Sequence, residues 1–99
     1  MGELELVLLH REARKCGRKL QLTAREFDVL AFLASHAGKT CTHEMVLNAV
    51  WGKGYAREAQ YLHAYVHRLR QKLDDTDGRR IRTAPGIGYS LDAGGEQPR

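Results

Sequence analysis

The side chains best placed to do chemistry in this sequence are its cations. Between Arg57 and Lys72 stand four lysines or arginines (Arg57, Arg68, Arg70 and Lys72), two histidines and a single acid, Glu58. Between Arg79 and Leu91 stand three arginines (Arg79, Arg80 and Arg82) and no acid. Two neighbouring basic clusters make an electrostatic footprint for phosphate. A solvated basic face is the alternative, and the net charge of +4 is too mild to choose between them.

Other chemistries find less support. His10, His36, His43, His63 and His67 could act as bases, but none stands in a nucleophile or metal motif, so an enzyme is not expected. His63 and His67 lie one helical turn apart and could hold a metal; solvent-facing or DNA-facing histidines are the simpler account. Cys16 and Cys41 have no CxxC partner and read as reduced thiols. Cys41-Thr42-His43 is a half-site without a second pair, so neither a metal nor a cofactor is expected. Gly52-Lys53-Gly54 lacks the third glycine and the leading strand of a dinucleotide fingerprint. No apolar run is long enough to span a bilayer, and MGELEL has no secretory character, so a cytoplasmic chain is expected.

Elements must position those cations. With 42% apolar residues in 99, one core in one domain is expected. Leu4 to Leu9, Glu12 to Cys16 and Arg18 to Leu22 are short extended runs broken near His10-Arg11 and at Gly17, which predicts a small antiparallel meander. The period then changes. Thr23-Ala24-Arg25-Glu26 fits a capping box, and Phe27, Leu30, Ala31 and Ala34 follow at helical spacing, widened by Phe32 and Leu33. A first helix is predicted from Ala24 to His36, stopped by Gly38. Thr42 caps a shorter second helix with Val46, Leu47, Val50 and Trp51 on its buried side, ended at Gly52 to Gly54. The longest helix runs from Glu58 to Asp74. There Leu62, Val66, Leu69 and Leu73 define a buried face, and Gln60, Ala64, His67, Arg68 and Gln71 the other. Small, polar and basic residues without acids suit a helix that enters a major groove. Ile81 to Thr83 and Tyr89 to Leu91 read as strands, with Ala84-Pro85-Gly86-Ile87 as a type II turn. Residues 1–92 thus form one α+β domain, with an N-terminal antiparallel sheet, three helices and a C-terminal β-hairpin. Helices two and three can make a helix-turn-helix unit with the hairpin as its wing. The small polar tail, residues 93–99, is expected to be disordered.

Several of these motifs, in this order and spacing, resemble the DNA-binding effector domain of OmpR/PhoB-type response regulators. They are Leu22-Thr23-Ala24-Arg25-Glu26-Phe27 with Leu30, then Ala37-Gly38-Lys39, then Leu47 with Val50-Trp51-Gly52. Val66-His67-Arg68-Leu69-Arg70-Gln71-Lys72-Leu73 and Ile81-Arg82-Thr83 with Gly86-Ile87-Gly88-Tyr89 complete the set. Tyr61-Leu62 with Tyr65-Val66 and Leu69-Arg70-Gln71-Lys72-Leu73 resembles the KdpE branch, which controls potassium-uptake genes. The resemblance implies a winged helix-turn-helix behind a four-stranded N-terminal sheet, binding double-stranded DNA to regulate transcription in a two-component system.

The resemblance also implies roles for particular residues. Tyr61, Ala64, Tyr65, His67, Arg68 and Arg70 match positions on or near the DNA face of the recognition helix. Arg68 matches a base-reading position and Ala64 one that packs on a thymine methyl. His67 and Arg70 match backbone-contacting positions, and Trp51 and Thr83 match phosphate contacts. Pro85 stands where many relatives carry a minor-groove arginine, which leaves Arg79, Arg80 or Arg82 to compensate at the backbone. Tandem protomers on direct repeats are implied, as is a contact from the Trp51 to Arg57 loop to RNA polymerase, for which a plain connector is the alternative. No receiver domain is recognisable, so control by phosphorylation is implied by the resemblance alone, and the short lead before the first strand fits an excised domain. Three to five ionic contacts per protomer predict a log–log salt slope of about −3 to −4.5. The rival is a winged-helix module that binds protein rather than DNA, which would favour apolar or acidic residues where Arg68 and His67 stand.

Overall fold

Thr23 and Glu26 form the predicted capping box. The Thr23 hydroxyl accepts the Glu26 amide at 3.2 Å, and the Glu26 carboxylate accepts the Thr23 amide at 2.9 Å. That lock starts α1 (Ala24–Ser35) in the computed structural model, which describes residues 4–55, 57–75 and 77–92. Ahead of it, β1 (Leu4–Val7), β2 (Glu12–Lys15) and β3 (Arg18–Lys19) pair antiparallel in the order β1-β2-β3. The run from Leu4 does not stay extended to Leu9: Leu8–His10 form a 3-10 turn, and Arg11 takes a left-handed conformation at φ 50°. This N-terminal sheet has three strands among the described residues, rather than the four the resemblance implied.

After α1, the two-residue strand β4 (Cys41–Thr42) precedes α2 (His43–Val50), whose first turn is capped by the Thr42 hydroxyl accepting from Met45 N–H at 3.1 Å. α3 (Ala59–Lys72) follows, then β5 (Ile81–Ala84) and β6 (Gly88–Leu91). The second sheet has the order β4-β6-β5, with Cys41 opposite Tyr89 and Thr83 opposite Tyr89 on the other side. The hairpin turn is as read from the sequence. Ile87 N–H donates to the Ala84 carbonyl at 2.9 Å, and Gly86, at φ 74°, takes the third position that a type II turn reserves for glycine. Gly88 has a different reason to be glycine: a Cβ there would lie 1.9 Å from the Cys41 carbonyl oxygen, where β4 crosses it.

The periodicities predicted the core well. Leu62, Val66, Leu69 and Leu73 of the α3 face are all buried, as are Phe27, Leu30 and Leu33 of α1 and Val46 and Leu47 of α2. Val29 joins them, while Ala31, Phe32 and Ala34 are half-buried. Ile81, Tyr89 and Leu91 carry the second sheet into the same cluster, so the hairpin shares the core of the helices. At roughly 1.5–3 kcal/mol for each fully buried leucine, isoleucine or valine, this packing fixes the orientation of α3. No helix among the described residues is long and apolar enough to cross a membrane.

Candidate nucleic-acid interface

Burying one stripe of α3 leaves its opposite face to solvent. Gln60, Ala64, His67, Arg68 and Gln71 are exposed there, and no acid interrupts them. Arg68 is not loose: its guanidinium lies over the Tyr65 ring, 4.8 Å from the centroid. Stacking of this kind orients the planar group while leaving its edge N–H donors free. A buried Arg68, or a hairpin on the far side of the molecule, would have removed the reading; the structure has neither.

The hairpin is fixed along one flank of α3. Arg70, half-buried, donates from Nε and Nη2 to the Ile81 carbonyl at 3.1 and 2.6 Å, and from Nη2 to the Thr83 hydroxyl at 2.7 Å. Its guanidinium also sits 5.8 Å from the Tyr89 ring. Two turns back, His63 Nδ1 hydrogen-bonds the Tyr89 hydroxyl. His43 completes the cluster, with ring centroids 5.2 Å from His63 and 5.7 Å from Tyr89. Burial, then the neighbouring His63, holds the His43 imidazole below its usual range, which favours its neutral form. Burial likewise raises the Tyr89 phenol, with Arg70 opposing it. At the hairpin root the buried Asp75 carboxylate accepts the backbone N–H groups of Arg80 and Ile81, each at 2.8 Å. Thus Asp75, which follows α3, supplies the wing's anchor.

The opposite flank of α3 is aromatic. Trp51, half-buried at the end of α2, meets Tyr65 edge-on at 5.3 Å and Tyr61 at 6.5 Å; Tyr61 in turn meets Tyr55 at 6.1 Å. Arg25 from α1 lies over the Trp51 ring at 5.0 Å.

The ten sequence-derived site residues therefore divide. Ala64, His67 and Arg68 crown α3. Trp51, Tyr61 and Tyr65 line one flank, with Arg68 stacked on their edge. Arg70 and Thr83 are bonded to each other on the other flank. Arg80 stands at the root of the hairpin and Arg82 within β5; Arg82 donates to the Arg79 carbonyl at 3.2 Å and stands 3.7 Å from Asp92. Lys72, counted among the basic residues of the helix, is drawn away from that face: it is paired with Glu26 at 2.7 Å and donates to the Gln21 carbonyl at 2.7 Å. Pro85 is exposed at the tip of the hairpin. Sequence reasoning missed Arg25, Tyr55 and the His43–His63–Tyr89 cluster. Each depends on elements that meet only after folding, and no periodicity in the chain brings them together.

The comparisons agree with this geometry. Residues 17–91 match the family model described as "Transcriptional regulatory protein, C terminal". The DNA-binding domain of RstA from Klebsiella pneumoniae, solved in complex with the RstA box, is 30% identical, with a TM-score of 0.86 over 93% of this chain and 93% of that one. The DNA-binding domain of CpxR from E. coli is 31% identical, with a TM-score of 0.83 over 95% of this chain and 94% of that one. The alkaline phosphatase synthesis transcriptional regulatory protein PhoP of Bacillus subtilis is 31% identical over 94 residues, 93% of this chain but 39% of PhoP. The same holds of PrrA from Mycobacterium tuberculosis, 36% identical over 92% of this chain and 40% of its own length, so the chain spans well under half of such curated relatives. The helix, wing and sheet arrangement and the matched residues place the chain in the family of transcriptional regulatory protein C-terminal domains, the winged-helix DNA-binding domains of OmpR/PhoB-type response regulators.

Proposed function

We propose that this domain binds double-stranded DNA sequence-specifically, with α3 in the major groove and the β5–β6 hairpin as the wing, and so regulates transcription as the output domain of a two-component response regulator. The observation that carries the reading is the outer face of α3: exposed, acid-free, and set beside a hairpin locked to it by Arg70. Arg68 reads a base edge, Ala64 packs on a thymine methyl, and His67 with Trp51, Tyr61, Arg80, Arg82 and Thr83 contacts the backbone. Arg70 acts on the duplex chiefly by holding Thr83 and the wing. Pro85 at the wing tip offers no donor to the minor groove.

One small module buries too little surface for tight specificity, which favours two protomers in tandem on direct repeats. The exposed Lys53 to Tyr55 segment and Arg57 follow Trp51 in the loop between α2 and α3, a place from which RNA polymerase can be touched. Phosphorylation control through a receiver domain, and potassium-transport genes as targets, rest on the sequence resemblance; the regulators named above do not carry the potassium assignment.

In-vitro selection from random duplexes tests the reading. A selected site should contain a direct repeat, and its binding should weaken with salt at a log–log slope of about −3 to −4.5 per protomer. Arg68→Ala should lose about 5- to 150-fold on that site, matching about 1–3 kcal/mol, and far less on random DNA. A slope near zero refutes DNA binding by this surface, and equal losses on both duplexes move Arg68 from base to phosphate.

A further inference from the structure

We propose that Arg25, on α1 and outside both the helix-turn-helix unit and the wing, is a phosphate-binding residue that grips the backbone of the duplex along the flank of α3 opposite the hairpin, in a cradle with Trp51, Tyr55 and Tyr61. The inference rests on the docking of α3 proposed above.

Charge accounting around α1 singles Arg25 out. Its neighbouring acids are engaged elsewhere: Glu26 turns back to Thr23 and Lys72, and Asp28 pairs with Arg11 at 2.5 Å. Among the described residues no carboxylate pairs with Arg25. Its partner is the Trp51 ring, 5.0 Å away, which orients the guanidinium but does not neutralise it. Beyond Trp51 come Tyr65 and then Arg68, so two cations bracket an aromatic pair, one on the groove-facing helix and one on α1.

The surroundings suit a phosphodiester. Thr23, Ala24 and Arg25 form one wall of a concave surface, and Trp51, Tyr55, Tyr61 and Tyr65 form the other. Tyr55 and Tyr61 are each about 40% exposed, and among the described residues the hydroxyls of Tyr55, Tyr61 and Tyr65 make no hydrogen bond, so they remain available to phosphate oxygens. The placement follows from dimensions. A helix with its side chains is about 10–12 Å across and fills a major groove about 12 Å wide, so a sugar–phosphate rim stands on each side of it. The hairpin covers one rim. Arg25 and the tyrosines lie toward the other, continuous with the exposed face of α3.

The test uses the wild-type protein and Arg25→Ala and Arg25→Lys variants, on a selected duplex and on a random one, with single phosphates replaced in turn by neutral methylphosphonates. Arg25→Ala should flatten the salt slope by about 0.9 per protomer and weaken both duplexes by the same factor. Arg25→Lys should keep most of the slope yet bind less tightly, because lysine cannot present a stacked planar fork. One neutralised phosphate should weaken the wild type but not Arg25→Ala; together with the flatter slope, this readout separates Arg25 from a merely disturbed Trp51, whose neutral indole releases no counterion. Melting curves of the variants check folding, and the methylphosphonate scan on the wild type needs no variant at all. If the wild type binds with the expected slope while Arg25→Ala keeps that slope and the same phosphate sensitivities, the inference is wrong and the DNA-binding reading stands. If the wild type shows no salt-dependent binding, that reading itself has failed. Unchanged DNA binding with lost transcriptional output would assign the cradle to a protein partner and also overturn the inference.

Discussion

Arg70 offers the sharpest separation of two roles, because a phosphate contact and a wing clamp respond differently to its removal. The structure gives it three hydrogen bonds within the domain, two to the Ile81 carbonyl and one to the Thr83 hydroxyl, and a position over the Tyr89 ring. Arg70→Gln removes the charge and shortens the reach. A hydrogen bond from a charged donor contributes about 1.5–3 kcal/mol net, but the two bonds to Ile81 share one acceptor and the Thr83 bond is exposed. Partial hydration of the freed carbonyl lowers the sum further, so about 1–2 kcal/mol of stability should be lost. For a domain of this size that is a fall in Tm of about 4–15 °C. Arg70→Lys should recover little, since an ammonium cannot bridge Ile81 and Thr83 as the guanidinium fork does. Thermal and urea denaturation read the stability, and the salt dependence of DNA binding reads the charge. A clamp predicts lower Tm, weaker binding to every duplex and an unchanged salt slope. An unaltered Tm with a slope flatter by about 0.9 would refute the clamp and make Arg70 a phosphate contact, the role its place in the recognition motif implied.

Two further perturbations probe what holds the recognition helix and its wing. Glu26 is buried, and burial alone would raise its pKa; the hydrogen bond from Lys72, the Thr23 amide and the positive charges of Lys72 and Arg68 outweigh this and leave it below the ordinary 4.5. Its folded pKa is depressed, so the stability it contributes is present above about pH 4.5 and is lost as pH falls through the folded value. Glu26→Gln should therefore cost about 1–3 kcal/mol at neutral pH, discounted because Lys72 can rehydrate, and the gap to wild type in urea titrations should close in acid. A gap that stays constant down to pH 3 would show that the ion pair is not its source. Gly88→Ala forces a methyl against the Cys41 carbonyl and Thr42 Cα, so a backbone must move; a loss of about 1–3 kcal/mol or more is expected in denaturation. A melting temperature equal to wild type would mean that β4 and β6 separate at no cost.

The parts of the fold readable from sequence were those encoded by local regularities. The four apolar positions of α3, the capping box at Thr23 and Glu26, and the Pro85-Gly86 turn each follow from one segment's own stereochemistry. Boundaries moved where a neighbour intervened: the first strand ends at Val7 because the chain turns at Leu8 to His10, and Leu9 is 89% exposed. The strand β4 was invisible because two residues carry no period; it exists because Tyr89 and Gly88 lie opposite Cys41 and Thr42. The interface divided the same way. Exposure of Ala64, His67 and Arg68 follows from the helical wheel. That Lys72 answers Glu26 and Arg70 answers Ile81 does not, since those partners lie on other elements and are fixed only by folding. Counting cations along the chain therefore overstated the charge that α3 itself presents.

The short strand β4 has an effect out of proportion to its length. It couples the turn between the first two helices to the hairpin, and the Ile87 carbonyl, accepting from the His43 amide at 3.0 Å, extends that coupling almost to the wing tip. With Asp75 holding its base and Arg70 its side, the hairpin behaves less as an arm that closes on a target than as the second jaw of a fixed caliper. If α3 and the hairpin dock as proposed, the opening between the jaws is set during folding, and a duplex whose groove does not match would itself have to deform, which would let the domain gauge DNA shape at base pairs that no side chain reaches.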